Sequence, residues 1–335
     1  MWELNNRTPF AAERIAVIDK NGERHWVVVV KGTFDILPNG RLKLSDKQVE
    51  PKFAPEYNGI DGESSLLYEQ DLIASKVRTD VYVNGHAYAP DGRPCTEVPV
   101  GLKTPLGNKT LVVRGDRLWE RNIVGLIKPS QPRPFVKMPV VYERAYGGYD
   151  KQDADPSAHR MYDRNPIGAG FFTKRSHRLG HRLPNIEFPG KAMDAGPAGF
   201  GAICSFWQPR RSYQGTYDAK WIEKRRPLLA VDYDPQALQC ALNDQQIGPH
   251  LRGGEPIGLF NLTPTGTLTF TIPKHYFTFT TLIGMRSLEH WAAINTVIIE
   301  PEYPRVIVVW HSTLSCHHDI DDIDFTIIRE KRYVQ

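Results

Sequence analysis

The chain has 335 residues, 41% of them hydrophobic and 24% charged, which is enough apolar material for a sizeable core. A formal net charge of +4, with Lys and Arg dispersed, is too weak to argue for a nucleic-acid surface. No stretch approaches the roughly 20 apolar residues of a membrane helix, and Cys95, Cys204, Cys240 and Cys316 lie too far apart for a C-x-x-C zinc site or a disulfide framework.

The four cysteines read as buried free thiols of a reducing cytoplasm. Met1 to Arg7 has no apolar stretch behind a basic one, so no signal peptide is expected. The 26 prolines and 27 glycines favour many turns over long helices. Asn21-Gly22 is a hairpin signal. It leads into His25–Ile36, rich in the β-branched and aromatic residues of strands. Pro38-Asn39-Gly40 predicts a turn before a short strand beginning at Leu42–Leu44. Residues 50–63, with Pro51, Pro55, Asn58-Gly59 and Asp61-Gly62, read as loop. Thr79–Val83 alternates and stops at Asn84-Gly85, and Ala87–Ala89 stops at Pro90-Asp91-Gly92. Val98–Leu102 turns at Pro105–Asn108 and returns as Thr110–Val113. Two further strands are expected around Ile123–Ile127 and Phe135–Tyr142.

Residues 143–256 break this rhythm and read as mostly irregular. Asp218 is placed to cap a short helix over Ala219–Arg225, stopped by Pro227. Asp234 is placed to cap a second, with Pro235 at its first position. Strands return at Ile257–Leu259, Thr267–Ile272, Thr296–Ile299, Arg305–His311 and Asp324–Ile328. The expected fold is mainly β: a large antiparallel sandwich- or barrel-like body with a long loop-rich central block and few short helices. It is read as one domain over 1–335. Residues 1–142 are strand-rich, 143–256 are rich in Gly, Pro and aromatics, and 257–335 are C-terminal strands.

Candidate chemistry is sparse. Cys316-His317-His318-Asp319, followed by Asp321, Asp322 and Asp324, offers metal-ligand types. Adjacent strand positions point to opposite faces, however, and a solvated polar turn explains the segment more simply. His177 and His181 have helical spacing, but Gly180 and Pro184 argue against a helix there. Gly168-Ala169-Gly170 is followed by Phe171-Phe172, not by the third glycine of a dinucleotide loop. No P-loop and no G-x-S-x-G is present. No catalytic residue, metal or cofactor is therefore expected.

The central block concentrates glycine, aromatics, arginine and carboxylates. Three uses are open to it. Glu143, Asp218 and Glu255 are the carboxylates for acid–base catalysis. Tyr146, Trp207, Arg210, Tyr217 and Trp221 are the anchors for a partner surface, since aromatics and arginine dominate hot spots. Internal bracing is the third, with Glu143, Arg144, Asp218 and Glu255 holding loops against the β core. Bracing with some partner contact is the reading taken.

Several segments together resemble one bacterial family. They are Leu4–Ala12, Val30-Lys31-Gly32-Thr33-Phe34, Thr79–Ala87, Gly115-Asp116-Arg117-Leu118-Trp119, Tyr142–Gly148, Asn165–Gly170 and Gly215-Thr216-Tyr217-Asp218. The chain resembles the domain of unknown function 2169 family from about residue 2 to past residue 270, and the tail after about residue 300 fits its pattern least. The resemblance implies a cytoplasmic, non-enzymatic adaptor or chaperone in type VI secretion. Its implied partners are a type VI effector, a PAAR-type tip protein and VgrG, with neither nucleic acid nor membrane. The implied task is loading the effector onto the spike. The alternatives are a hydrolase or effector-modifying enzyme using the central carboxylates, and a structural part of the secreted spike. The family supplies no catalytic residues to carry over.

Overall fold

The computed structural model describes residues 2–317 and 319–331. The protein is mainly β and is organised by three open sheets of seven, five and four strands, none of them closed into a barrel. The largest sheet is built on two strands of 13 residues, Arg24–Ile36 and Arg305–His317. They run antiparallel, with Asp35 opposite Arg305 and His25 opposite Ser315. Ala11–Ile18 and Leu42–Leu44 both pair with Arg24–Ile36. On the other side, Ala293–Glu300 pairs with Arg305–His317 and then, in parallel, with Thr79–Val83.

Both faces of this sheet are covered, which explains why Trp26–Val30 is apolar without interruption and fully buried. Successive side chains point to opposite faces. Trp26, Val28, Val30, Val81, Val297, Ile299, Val306, Val308 and Trp310 join the main core, where the five- and four-stranded sheets pack. Tyr82, Ile298 and Ile307 point the other way, into a second cluster with Leu66, Tyr142, Ile203 and Trp207. Val27, Val29 and Val309 meet Leu72 on that second face. The loop-rich central block is thus a lid over the back of the large sheet.

The five-stranded sheet runs Ile186–Glu187, Gly107–Arg114, Glu97–Thr104, Pro256–Phe260 and Thr267–Thr271. In Glu97–Thr104 buried and outward residues alternate, as a half-buried strand requires. The four-stranded sheet runs Glu3–Asn6, Ile323–Glu330, Phe277–Ile283 and Arg286–Trp291.

Several expectations are corrected. Ile123–Ile127 is not a strand. Trp119–Arg121 pairs with Ile127–Pro129, and Ile123 and Val124 form the turn between them. The Asn122 side chain decides this, because its Oδ1 accepts from Val124 N and Leu126 N and so competes with extended pairing. Within Phe135–Tyr142 only Lys137–Pro139 is strand, and a 3-10 turn follows at Tyr142–Arg144. Asp218 caps the helix Ala219–Lys224, whereas the Asp234 cap holds only the 3-10 turn Pro235–Leu238. The hairpin of Phe277–Ile283 and Arg286–Trp291 and the short helix Arg210–Tyr213 were not anticipated. The last long strand continues to His317, and a 3-10 turn covers Asp319–Asp322. In the Cys-His-His-Asp grouping, His318 lies outside the described residues. Among the described residues no helix is long and apolar enough to cross a membrane.

Candidate functional site

The glycine motifs of the central block are explained by close backbone approach. Tyr146–Gly147 lies parallel beside Ala169–Gly170. A Cβ on Gly147 would sit 2.1 Å from the Asn165 carbonyl oxygen, and one on Gly168 would sit 2.6 Å from that of Ala145. Only glycine allows this contact. Buried Asn165 ties the knot, its Nδ2 donating to the carbonyls of Tyr142 (2.8 Å) and Tyr146 (3.1 Å). The Tyr142 ring meets Trp207 edge-on at 5.6 Å.

The expectation that Trp207 and Arg210 touch a partner is corrected, because both are buried. Trp207 fills the second cluster. Arg210 donates to Glu69 Oε2 (2.6 Å), to the Ile203 carbonyl (2.6 Å) and twice to the Ala237 carbonyl. The physical cause is the lid. Loops folded over a sheet bury carbonyls that need donors, and an arginine supplies several at once. Trp221 is half-buried, with Nε1 donating to the Leu228 carbonyl at 2.8 Å. Exposed Tyr217 packs edge-on against it at 4.8 Å. Tyr146 is half-buried and packs against Tyr162 at 5.2 Å.

The four residues read as braces each hold a different segment. Glu143 Oε1 accepts from Ser65 N at 2.8 Å. Arg144 donates to Asp116 (2.9 Å) and to the Asn185 side chain (3.1 Å). Asp218 accepts from Trp221 N (2.9 Å) at the helix cap, and Glu255 accepts from Arg252 N at 2.8 Å. Glu143, Asp218 and Glu255 are thus engaged separately, and their contacts describe no shared catalytic site.

The histidine pair also separates. His177 Nδ1 lies 3.0 Å from Asp150 Oδ2, while His181 packs against Phe172. Hydrogen bonds from Thr173 and His177 outweigh burial and hold the Asp150 carboxyl well below the usual carboxylate range. Among the described residues, one group could face a cation: Asp19, Glu23 and His25. Asp19 Oδ1 there already accepts from the backbone of Asn21 and Glu23. Cys95, Cys204 and Cys240 are free thiols, and burial pushes the Cys204 thiol up to about 12, which suppresses its thiolate.

Sequence reasoning missed a buried ionic layer beneath the lid. Lys31 meets Asp71 at 2.6 Å, and Lys76 meets Asp80 at 2.7 Å and Thr296 Oγ1 at 3.0 Å. Tyr68 donates to Glu300, which also accepts from Arg305. Lys31 and Asp71 are 40 positions apart and Tyr68 and Glu300 are 232 apart, so no local motif announces these pairs, whereas Lys76–Asp80 and Glu300–Arg305 are near neighbours in the chain.

Two surface features stand out among the described residues. The first is the hairpin Trp119–Arg121 and Ile127–Pro129. Its tip presents Ile123, fully exposed at 104%, with exposed Val124 and Leu126 beside it. Asn122 organises this turn, and the Arg178 guanidinium lies 5.0 Å over buried Trp119 at its base. The second is a cleft of about 710 Å³ where the four-stranded sheet meets the large one. Trp310, Phe277, Ile294 and Leu251 form its floor, and exposed Trp291 and Tyr276 stand at its mouth.

Residues 21–311 match the family model described as "Uncharacterized protein conserved in bacteria (DUF2169)". The match begins later than residue 2 and extends past residue 270, as the motifs suggested. No curated protein and no solved structure matches the chain.

Proposed function

The chain belongs to the domain of unknown function 2169 family, and from that premise we propose that it is a cytoplasmic adaptor or chaperone which binds a type VI secretion effector and helps mount it on the PAAR-tipped VgrG spike. The observation that supports partner binding is the hairpin tip. Three large aliphatic side chains stand in water on an ordered turn. Exposed apolar groups arranged together mark interaction sites more often than they serve the fold. Burying each completely is worth about 1.5–3 kcal/mol. Three together would supply several kcal/mol, a large part of a micromolar interaction at roughly 8 kcal/mol.

The hydrolase reading is less well supported, since its three carboxylates each hold a different segment. The test is co-expression with the products of neighbouring effector, PAAR and VgrG genes, followed by purification. The adaptor reading expects a stable complex with at least one of them and a protein left behind in the producing cell. Absence of any complex would sink it. Recovery of the chain in the secreted fraction would favour a spike component instead.

A further inference from the structure

We propose that the cleft between the four-stranded and the large sheet binds the carboxyl-terminal end of a partner polypeptide, with an apolar or aromatic last side chain on its floor and the free carboxylate at its rim. The inference goes beyond the adaptor reading and does not depend on it. At about 710 Å³, the cleft has the size of sites that hold several ligand groups at once. Its floor is apolar and fixed. Trp310 and Phe277 meet edge-on at 5.2 Å, and the His275 ring stacks on Phe34 at 5.4 Å. The wall Pro249–Arg252 is pinned as well. Leu251 N donates to Thr79 Oγ1 at 3.0 Å, and His250 Nδ1 lies 3.0 Å from the Ile294 carbonyl oxygen.

The rim carries one sign of charge. Arg252 and Lys331 both line the cleft and are exposed. Among the described residues neither side chain has a hydrogen bond or an ion pair, and no Asp or Glu lines the cleft. Next to these two cations in the chain, Glu330 Oε1 lies 2.7 Å from His275 Nδ1, and Glu255 Oε1 accepts from Arg252 N. An apolar floor below unpaired cations complements a ligand that ends in a carboxylate. A peptide fits better than a fatty acid because of the neighbouring strand. Arg286–Trp291 is the outer edge of its sheet, and its last residue stands at the mouth. An edge strand pairs with extended backbone, which a fatty acid lacks.

The experiment is calorimetric titration of the full chain with five acetylated hexapeptides. These end in Leu, Ile, Val, Phe or Trp, and each is used as the free acid and as the amide. At least one free acid should saturate, with its amide binding at least tenfold more weakly. Arg252→Ala with Lys331→Ala should weaken the free acid tenfold or more and leave the amide unchanged. Both sites are exposed, and an unchanged thermal melt verifies the fold. The proposal is overturned if no peptide saturates, if acid and amide bind alike, if the double variant binds as the wild type does, or if dodecanoate outcompetes every peptide. Effector co-purification probes neither arm, so each proposal can fail alone.

Discussion

Replacing Arg210 by alanine removes the most heavily used side chain of the lid. Arg210 is 4% exposed and its guanidinium makes four hydrogen bonds, one of them to Glu69. The variant would leave Glu69 Oε2 and the carbonyls of Ile203 and Ala237 without the donor that Arg210 supplies. Breaking a buried pair by removing one partner costs about 3–5 kcal/mol. At about 2 °C per kcal/mol for a large domain, Arg210→Ala should melt roughly 6–10 °C below the wild type. Arg144 is the internal comparison. Its side chain is 27% exposed and that of its partner Asp116 is 51% exposed. Solvent screening reduces such a pair to about 1 kcal/mol or less, so Arg144→Ala should lose about 2 °C. Calorimetric or circular-dichroism melts of the two variants side by side decide the matter. A double variant, Arg210→Met with Glu69→Leu, should lose less than Arg210→Ala alone, because it removes the orphaned charge. The reasoning fails if Arg210→Ala melts within about 2 °C of the wild type, or if Arg144→Ala is the more damaging change.

Burial lowers the pKa of His290 to about 4 and that of His311 to about 3. Both are neutral in the fold, so their contribution is complete above the ordinary histidine value, about 6.5, and is lost as pH falls from there towards the folded values. The melting temperature should therefore drop between pH 6.5 and pH 4, and His290→Gln should make that drop shallower in a pH series of melts. Gly147→Ala should be severely destabilising, because the added Cβ would overlap the Asn165 carbonyl oxygen, and soluble yield with the melting temperature reports it. Ile123→Asp with Val124→Asp should leave the melting temperature within about 1 °C, as exposed substitutions do, while abolishing recovery of the partner complex.

Some of this protein was legible from its residues alone. The strand Glu97–Thr104 alternates in sequence as it does in burial, and the Asn21-Gly22 turn joins the two strands flanking it. Asp218 and Asp234 cap the segments they precede, because a cap is made by a side chain and backbone groups two or three positions away. The mainly β fold followed from such local signals. The hairpin Phe277–Ile283 and Arg286–Trp291 is not legible locally, since threonines dilute the apolar period of its first strand and polar residues that of its second.

What only the tertiary structure decided is which way the central block faces. Trp207 and Arg210 have the composition of a binding surface, and the same composition serves a lid over buried carbonyls. Ile123 and Val124 have the composition of a strand, yet they stand in water at a turn. The difference lies in the back face of the large sheet. Tyr82, Ile298 and Ile307 present an apolar surface there that must be covered. The chain covers it with residues 66–76 and 200–247, whose buried polar groups then find partners far away in sequence, as Lys31 finds Asp71 and Arg210 finds Glu69. Local pattern records the preference of each residue, whereas burial depends on which distant segment arrives to cover it.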